Sequence, residues 1–244
     1  MEILEYSPFT LKDVIEDAKL ISDKGYSGAV FLYDGKLIKL HKRLYQDLKV
    51  NSRNLSERRF NDIYRWDKRP FVEREQIEYL CNIQPEIHLT DFDKGLVLVN
   101  DQICGTILTK HLDYQDLTDI EFDNPKRLIV ILKNILLALK ELENHEISHL
   151  DLAKGETGKN ITLNILYKNN DIKLCDVSGK YLTYKETFDA EEMYREYMRT
   201  VVFLLEKIVK VYPEYTNLLN LFNKELTTYE ESLNMIDCIE NKLK

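Results

Sequence analysis

A predicted β-hairpin across residues 164–175 constrains the fold more than any other part of the chain. Two short apolar runs flank the polar sequence Lys-Asn-Asn-Asp, a pattern typical of antiparallel strands joined by a tight turn. If Tyr167 pairs with Ile172 across this turn, Asn164 falls nearly opposite Asp176. The sequence therefore predicts a carboxamide and a carboxylate side by side at the open end of the hairpin.

A second carboxylate, Asp151, precedes the hairpin in the sequence His149-Leu-Asp. Hard oxygen ligands of this kind suit Mg²⁺ that is bound to phosphates. We therefore predict a magnesium–phosphate site with Asn164 and Asp176 as the metal ligands. Asn160 is the alternative ligand, but it does not fit the hairpin register with Asp176.

The order of these motifs resembles the protein-kinase-like superfamily, which has a His-x-Asp catalytic loop, an Asn before a short strand and an Asp-x-x-Gly motif after the next one. The resemblance covers about residues 20–210. It implies an α+β, two-lobed protein-kinase-like fold, with a small β-rich N-lobe over residues 1–104 and a reduced helical C-lobe over residues 105–244.

The resemblance also implies roles for residues of the catalytic loop. Asp151 would accept or orient the proton of the attacking hydroxyl, and Lys154, or alternatively Lys159, would contact the γ-phosphate. Asn164 follows Asp151 by thirteen residues, a wider spacing than the family's, so the intervening residues are expected to loop out. Few residues separate Gly179 from the next helix, which implies a minimal kinase without a normal activation segment.

A glycine-rich hairpin is expected near the N-terminus, where Asp-Gly joins two apolar runs. The sequence Gly25-x-x-Gly28-x-Val30 resembles the family's loop over the nucleotide phosphates, although turn chemistry alone also explains these glycines. Lys39 is similar to the strand lysine that contacts the α- and β-phosphates. The alternative for Lys39 is an edge-strand lysine that extends into water.

Two further N-lobe features follow from the resemblance. A helix before Pro85 would supply a glutamate that pairs with the strand lysine; Glu75 fits best, and Glu78 and Glu57 are weaker candidates. The segment after the buried strand at 95–99 would be the hinge between the lobes. Backbone groups of Asp101 and Ile103 would then contact an adenine, and Gly105 would open the next helix.

Helical periodicity predicts the remaining framework. The strongest pattern covers residues 125–147, with Pro125 at a first-turn position. A second pattern covers 10–22, with Thr10 as the expected N-cap. Further helices are predicted near residues 190–210, 214–223 and 226–242.

Composition limits the partners and the compartment. The net charge of −8 over 244 residues argues against a nucleic-acid-binding surface, and no apolar run is long enough to span a bilayer. Four scattered cysteines without a Cys-x-x-Cys pair argue against a zinc site or a disulfide framework. With no signal-peptide pattern at the N-terminus, we expect a cytoplasmic protein, or a secreted effector without a signal peptide of the usual kind.

Residues 42–74 form a basic segment within this acidic chain, with ten Lys/Arg against five acids. A solvated helical insert explains it, and a docking surface for a protein substrate or a regulatory partner is the alternative.

The sequence thus predicts an ATP- and Mg²⁺-dependent phosphotransferase, most similar to a serine/threonine protein kinase. Two alternatives stay open: a small-molecule kinase of the aminoglycoside or sugar type, and a pseudokinase that serves as a nucleotide-binding interaction module.

Overall fold

The computed structural model describes residues 1–23, 28–50, 73–111, 113–122, 124–156, 159–177, 182–222 and 226–243. The fold is mixed α+β, as predicted. Its described residues divide into two compact units. The first unit takes those of Met1–Pro85 and Phe92–Lys110, and the second takes those of Glu86–Asp91, His111–Val177 and Tyr181–Lys244.

The first unit is built on a six-stranded sheet. Its strands are β1 (Glu2–Tyr6), β2 (Lys19–Ser22), β3 (Gly28–Tyr33), β4 (Lys36–His41), β6 (Gly95–Val99) and β7 (Gln102–Leu108). They lie in the order β1-β6-β7-β4-β3-β2. The β1–β6 pair is parallel, and the other neighbouring pairs are antiparallel. The predicted Asp34-Gly35 turn joins β3 to β4, and both of its residues have positive φ angles (45° and 71°), as a two-residue hairpin turn requires.

Helices cover this sheet with their apolar sides. The described helices of the first unit are α1 (Pro8–Asp17), α2 (Lys42–Val50) and α3 (Arg74–Ile83). Residues of α1 and α2 share one buried cluster with residues of β3, β4, β6 and β7. The start of the basic 42–74 segment is therefore not a solvated insert, because α2 buries Leu44, Tyr45 and Leu48 in this cluster. Residues 51–72 of that segment lie outside the described residues.

The first helix differs from its prediction at both ends. Ser7, not Thr10, is the N-cap: its hydroxyl accepts a hydrogen bond from the Thr10 backbone N–H (3.1 Å), and the Thr10 hydroxyl accepts one from the Ser7 N–H (2.7 Å). This capping box starts the helix at Pro8. The helix ends at Asp17, because residues 19–22 pair with β3 as strand β2.

The second unit combines three long helical segments with short strands. Its α-helices are α4 (Pro125–Asn144), α5 (Ala190–Val211) and α6 (Tyr229–Lys242), and Pro213–Phe222 forms a 3₁₀ helix. The side chain of Asn124 caps α4 by accepting a hydrogen bond from the Lys126 N–H (2.8 Å). Helix α4 buries one apolar side along its whole length. The predicted central helix is thus confirmed, although it ends three residues before strand Ile147–His149.

The strands of the second unit position the candidate site. They are β8 (Gln115–Asp116), β9 (Ile147–His149), β10 (Ala153–Glu156), β11 (Lys159–Leu163), β12 (Ile165–Lys168), β13 (Asp171–Val177) and β14 (Leu182–Tyr184). One sheet has the order β5-β13-β12-β8, where β5 is Thr90–Phe92. Two smaller pairs, β10–β11 and β9–β14, complete the unit. Among the described residues, no helix has both the length and the apolar composition needed to cross a membrane.

Candidate active site

The β12–β13 hairpin has the predicted register. Tyr167 pairs with Ile172 across a turn whose central residues, Asn169 and Asn170, both have positive φ angles (49° and 71°). The pairing continues to the open end, where the Cys175 N–H donates to the Asn164 carbonyl oxygen (3.0 Å). Asn164 is therefore opposite Cys175, and Asp176 follows directly.

Asp151 and Asn164 are in direct contact. The Asn164 side-chain Nδ2 donates to the Asp151 carbonyl oxygen at 2.6 Å and is 3.3 Å from its Oδ2. The Asn164 N–H also donates to the Leu152 carbonyl oxygen (3.0 Å). The two side-chain contacts with Asp151 use the nitrogen of the carboxamide, so its oxygen is the atom that remains for a metal. The structure brings together two of the predicted site residues despite their separation along the chain.

The residues between Asp151 and Asn164 form a β-hairpin of their own. Strands β10 and β11 pair antiparallel, with Ala153 opposite Leu163. The Thr118 hydroxyl accepts a hydrogen bond from the Leu163 N–H (2.7 Å), which ties the end of this hairpin to the 3₁₀ helix Leu117–Asp119. The extra residues therefore leave the Asp151–Asn164 contact intact. The side chains of Lys154 and Asn160 are outside the described ones. Their predicted roles therefore stay predictions.

Asp176 has a left-handed backbone conformation, with φ at 59°. Such a conformation costs an L-residue free energy, although Asp and Asn tolerate it better than most residues. Strained residues of this kind persist where the surrounding structure holds them, and they cluster at functional sites. The left-handed residue is the one predicted to bind metal. The Ser178 and Gly179 of the predicted motif lie outside the described residues.

His149 connects the Asp151 loop to β13. Its side chain is buried, with 1% of its surface exposed. Its Nδ1 accepts the Asp151 N–H (3.3 Å), and its Nε2 lies 3.1 Å from the Cys175 carbonyl oxygen, so Nε2 carries the proton. Burial lowers the pKa of the imidazole from its usual 6.5, which favours the neutral form. The imidazole thus holds the Asp151 backbone next to β13.

In the first unit, Lys39 lies in a central strand and is 7% exposed. It pairs with Val30 on one side and with Thr106 on the other, which excludes the edge-strand alternative. A Cβ added at Gly28 would lie 2.9 Å from Lys39 Cγ and 2.7 Å from the Leu40 carbonyl oxygen. Gly28 therefore leaves space for the Lys39 side chain. Gly25 lies outside the described residues.

The predicted hinge at residues 100–105 is wrong. Asn100 and Asp101 form a two-residue turn with φ angles of 50° and 62°, and Ile103 and Gly105 lie in β7, which pairs with β6. The physical reason is turn chemistry, because Asn and Asp tolerate the left-handed conformations that a tight hairpin needs. The expected domain boundary at 104/105 falls inside this strand. The adenine contacts predicted for the backbone of Asp101 and Ile103 depended on a hinge at these residues, so the structure does not support them.

Helix α3 does not bury Glu75. Its buried residues are Gln76, Ile77 and Leu80, which recur on one side of the helix, whereas Glu75 and Glu78 are exposed. The third candidate, Glu57, lies outside the described residues. The buried polar side chain on this helix is therefore an amide and not the predicted carboxylate.

Sequence reasoning missed Glu196, a carboxylate of α5 that is 4% exposed. Burial raises the pKa of its carboxyl, and the charge of Arg199, which donates to Glu196 Oε1, opposes the rise. A signal for it existed, since Glu196 lies within the apolar stripe of the helix, between Met193 and Thr200. Acids in such stripes are rarely buried without a partner.

The donor set at the hairpin mouth fits magnesium. Within the described part of the chain, no cluster of three or more His, Cys, Asp or Glu side chains is placed to hold a metal ion. A metal here would therefore depend on the carboxamide oxygen of Asn164 together with carboxylate oxygens. All of these are hard oxygen donors, and Mg²⁺ is commonly held by one or two carboxylates together with substrate phosphates and water.

Comparison with known proteins assigns no family. No protein-family model matches this chain, and no curated protein is significantly similar to it.

Proposed function

We propose that this protein is an ATP- and Mg²⁺-dependent phosphotransferase of the two-lobed protein-kinase-like type that acts on a protein hydroxyl. The observation that carries the proposal is the contact of Asn164 with Asp151 next to the left-handed Asp176. A carboxylate for the acceptor side and two oxygen donors for the metal side thus come from adjacent positions of one unit.

In the proposed reaction, Asp151 orients the acceptor hydroxyl and takes its proton. The hydroxyl oxygen forms a bond to the γ-phosphorus, the bond from that phosphorus to the β–γ bridging oxygen breaks, and ADP leaves with the electron pair. Asn164 and Asp176 would hold Mg²⁺, which when bound neutralises phosphate charge. The contact between Asn164 and Asp151 fixes the acceptor side relative to the metal side, and such positioning is the main demand of phosphoryl transfer.

The first unit offers further support. Lys39 is buried in a central strand that follows the Gly28–Tyr33 strand through a two-residue turn, which is the placement that the family resemblance implied for a phosphate-contacting lysine. In this proposal Lys39 neutralises phosphate charge. The Gln76 amide, and not the Glu75 carboxylate, is the buried polar group on α3.

One observation favours a second candidate, a small-molecule kinase. The short stretch before α5 is occupied by structure: Leu182–Tyr184 pairs with Ile147–His149, and Lys185–Thr187 forms a 3₁₀ helix. These residues therefore do not form the long activation segment with which protein kinases order a peptide substrate. Small-molecule kinases often lack that segment.

The test is transfer from radiolabelled ATP with Mg²⁺ to a cell lysate, with separate scoring of labelled protein and labelled small molecules. Asp151→Asn should lower transfer about 100-fold or more, because general-base catalysis contributes this much, and should leave ATP binding nearly unchanged. Asp176→Asn should remove the Mg²⁺-dependent part of ATP binding. Asp17→Asn, the same change at an exposed site, is the matched control.

The outcomes separate the candidates. Label on protein supports the first proposal, and label only on small molecules supports the second. ATP binding without any transfer would identify a pseudokinase. A ligand that binds the native state at millimolar concentration must stabilise that state. If no nucleotide raises the thermal midpoint at this concentration, the two kinase proposals and the pseudokinase alternative all fail.

A further inference from the structure

A cation and an aromatic ring meet where α4 begins, within the second unit. The Nε of Arg127 donates a hydrogen bond to the Tyr167 hydroxyl oxygen at 2.6 Å, and the guanidinium carbon lies 5.1 Å from the centre of the Tyr167 ring. The Tyr167 hydroxyl in turn donates to Asn170 Oδ1 (3.0 Å). Because Tyr167 is only 3% exposed, these contacts hold the guanidinium against a buried side chain of the β12–β13 hairpin.

A neutral side chain also joins α4 to this hairpin. The Asn134 Nδ2, about two turns further along the helix, donates to the Asn170 carbonyl oxygen (2.8 Å). Attachment of the hairpin to the helix therefore does not by itself require the positive charge of Arg127.

An open cavity of about 540 Å³ lies beside the Arg127–Tyr167 pair. Two adjacent cations, Lys126 and Arg127, line it, and Val130, which is 42% exposed, adds an apolar wall. The described lining contains no carboxylate and is completed by Tyr167, Asn124, Asn169 and Asn170. The cavity is thus a place of local positive charge on a chain whose net charge is −8.

The hairpin acid that is next to the cavity in sequence has a partner of its own. Asp171 follows Asn170 and accepts a hydrogen bond from the Tyr114 hydroxyl. Asp123, which precedes the lining residue Asn124, lies outside the described residues. The charge of the described lining therefore favours an anionic ligand.

The chemistry of the lining fits a peptide with acidic side chains. An arginine whose guanidinium is held in place binds a carboxylate well, because the geometry of the two groups matches. Lys126 supplies a second cation, and asparagine side chains can hydrogen-bond a peptide backbone. Sites for small molecules bury most of their ligand, whereas this cavity is open to solvent, as suits a segment of a longer chain.

The cavity lies well away from the candidate active site, although the same hairpin carries both. Asn169 is in the turn of the hairpin and follows Asn164, at the open end, by five positions. With a rise of about 3.3 Å per residue along a strand, the turn lies roughly 16 Å from Asn164. An extended peptide covers such a distance in about five residues.

We propose that this cavity docks an acidic segment of the protein substrate, with Arg127 and Lys126 binding Asp or Glu side chains while the acceptor hydroxyl lies at Asp151. The inference rests on the proposed function for its link to transfer, whereas docking itself does not depend on activity. The acidic segment and the acceptor would be about five or more residues apart in the substrate.

The first test measures docking without catalysis. The probe is a fluorescein-labelled oligoglutamate peptide, followed by fluorescence anisotropy at low salt, and a Gly-Ser peptide of the same length is its control. The wild-type protein should bind oligoglutamate and not the Gly-Ser peptide. Binding should be about threefold weaker in Lys126→Gln and about tenfold weaker in the double variant Lys126→Gln/Arg127→Gln.

A matched control removes the same charge elsewhere. Lys19→Gln/Lys210→Gln changes two exposed residues and should bind oligoglutamate about as tightly as the wild type does. Arg127→Lys keeps the charge and should bind more tightly than Arg127→Gln. Thermal melting checks that each variant folds. If loss of the Arg127–Tyr167 bond unfolds the protein, Lys126→Gln, at an exposed position, still decides the question.

The second test uses transfer to a serine peptide that carries a glutamate run about five residues from the serine. The KM for this peptide should rise about tenfold in Lys126→Gln/Arg127→Gln, with kcat and the KM for ATP nearly unchanged. For the same peptide with its glutamates replaced by glutamine, the variant and the wild type should have equal KM values, because the contacts in question are absent from both.

Each contrary result has its own meaning. If the wild type does not bind oligoglutamate, or if the control double variant loses as much affinity as the cavity variant, the docking site is refuted. Displacement of the peptide by an equal concentration of inorganic phosphate or of oligouridylate assigns the cavity to a small anion or to a nucleic acid, and refutes a peptide as the occupant. Weaker docking with an unchanged peptide KM overturns the link to transfer. A wild type without any transfer overturns the proposed function, while anisotropy still decides whether the cavity docks an acidic peptide.

Discussion

The left-handed conformation of Asp176 makes a prediction about stability that does not depend on catalysis. We expect Asp176→Gly to be more stable than Asp176→Ala. Both variants remove the carboxylate and every contact that it makes, so their difference isolates the backbone. At a φ of 59°, alanine pays the steric cost of its Cβ against the carbonyl group, and glycine does not.

The magnitude follows from that comparison. The left-handed region costs a residue with a Cβ about 1–2 kcal/mol, and glycine loses about 0.5–1 kcal/mol through its more flexible unfolded chain. The expected net advantage of Asp176→Gly is therefore about 1 kcal/mol in the free energy of unfolding. In a chain of this size, that difference in free energy makes the thermal midpoint of Asp176→Gly about 2–4 °C higher than that of Asp176→Ala.

The assay is chemical denaturation of both variants, followed by circular dichroism, with thermal melting as a second measure. A control pair at Asn234, an exposed residue within α6, should give the opposite sign: Asn234→Gly should be less stable than Asn234→Ala by about 1 kcal/mol. If Asp176→Ala is as stable as Asp176→Gly or more stable, Asp176 does not have the left-handed conformation, and the argument from strain to function fails.

Three further predictions test other parts of the structure. Gly105→Ala should lower the free energy of unfolding by about 1–3 kcal/mol, because its Cβ would lie 2.2 Å from a backbone oxygen of β4. Gly35→Ala meets no atom within 4 Å but keeps a strained φ of 71°. It should lower the same free energy by about 1 kcal/mol in the same denaturation assay. Below pH 6.5, His149→Gln should lose stability less steeply than wild type, by up to about 1.4 kcal/mol per pH unit. The buried imidazole has a lowered pKa, so the unfolded chain binds a proton that the folded chain does not; parallel pH–stability curves would contradict this. Thr118→Val should cost about 1–3 kcal/mol, since it leaves the Leu163 N–H without its acceptor, and a loss under 0.5 kcal/mol would contradict that hydrogen bond.

Local patterns made the hairpin at the site predictable. The register of Tyr167 with Ile172 follows from two apolar runs and a turn of Asn residues, all within a short stretch of chain. The same turn chemistry was present at Asn100-Asp101, but the resemblance to a kinase hinge took precedence there, and the prediction was wrong. The Asn-Asp pair at that position was the better guide, because backbone preferences at a tight turn are local.

Contacts between distant segments were not predictable from the sequence. Whether Glu75 or Gln76 faces the interior depends on the rotation of α3 against the sheet, which a short helix with mixed residues does not determine. The burial of Glu196 likewise depends on tertiary packing, in which α5 lies beside β10. The proximity of Asn164 to Asp151 was expected from the family resemblance, whereas the hydrogen bonds that create it depend on the full tertiary structure.

The hairpin between Asp151 and Asn164 separates chain length from distance in space. Its two ends are held together by the bond from the Asn164 N–H to the Leu152 carbonyl oxygen and by the pairing of Ala153 with Leu163, so residues added or removed at its tip leave those ends where they are. The entropic cost of a longer loop is small, about 0.6 kcal/mol for each doubling. The segment is therefore a place where insertions of very different length are compatible with one arrangement of the two flanking side chains. Spacing along the sequence is a poor measure of whether such a pair of residues works together.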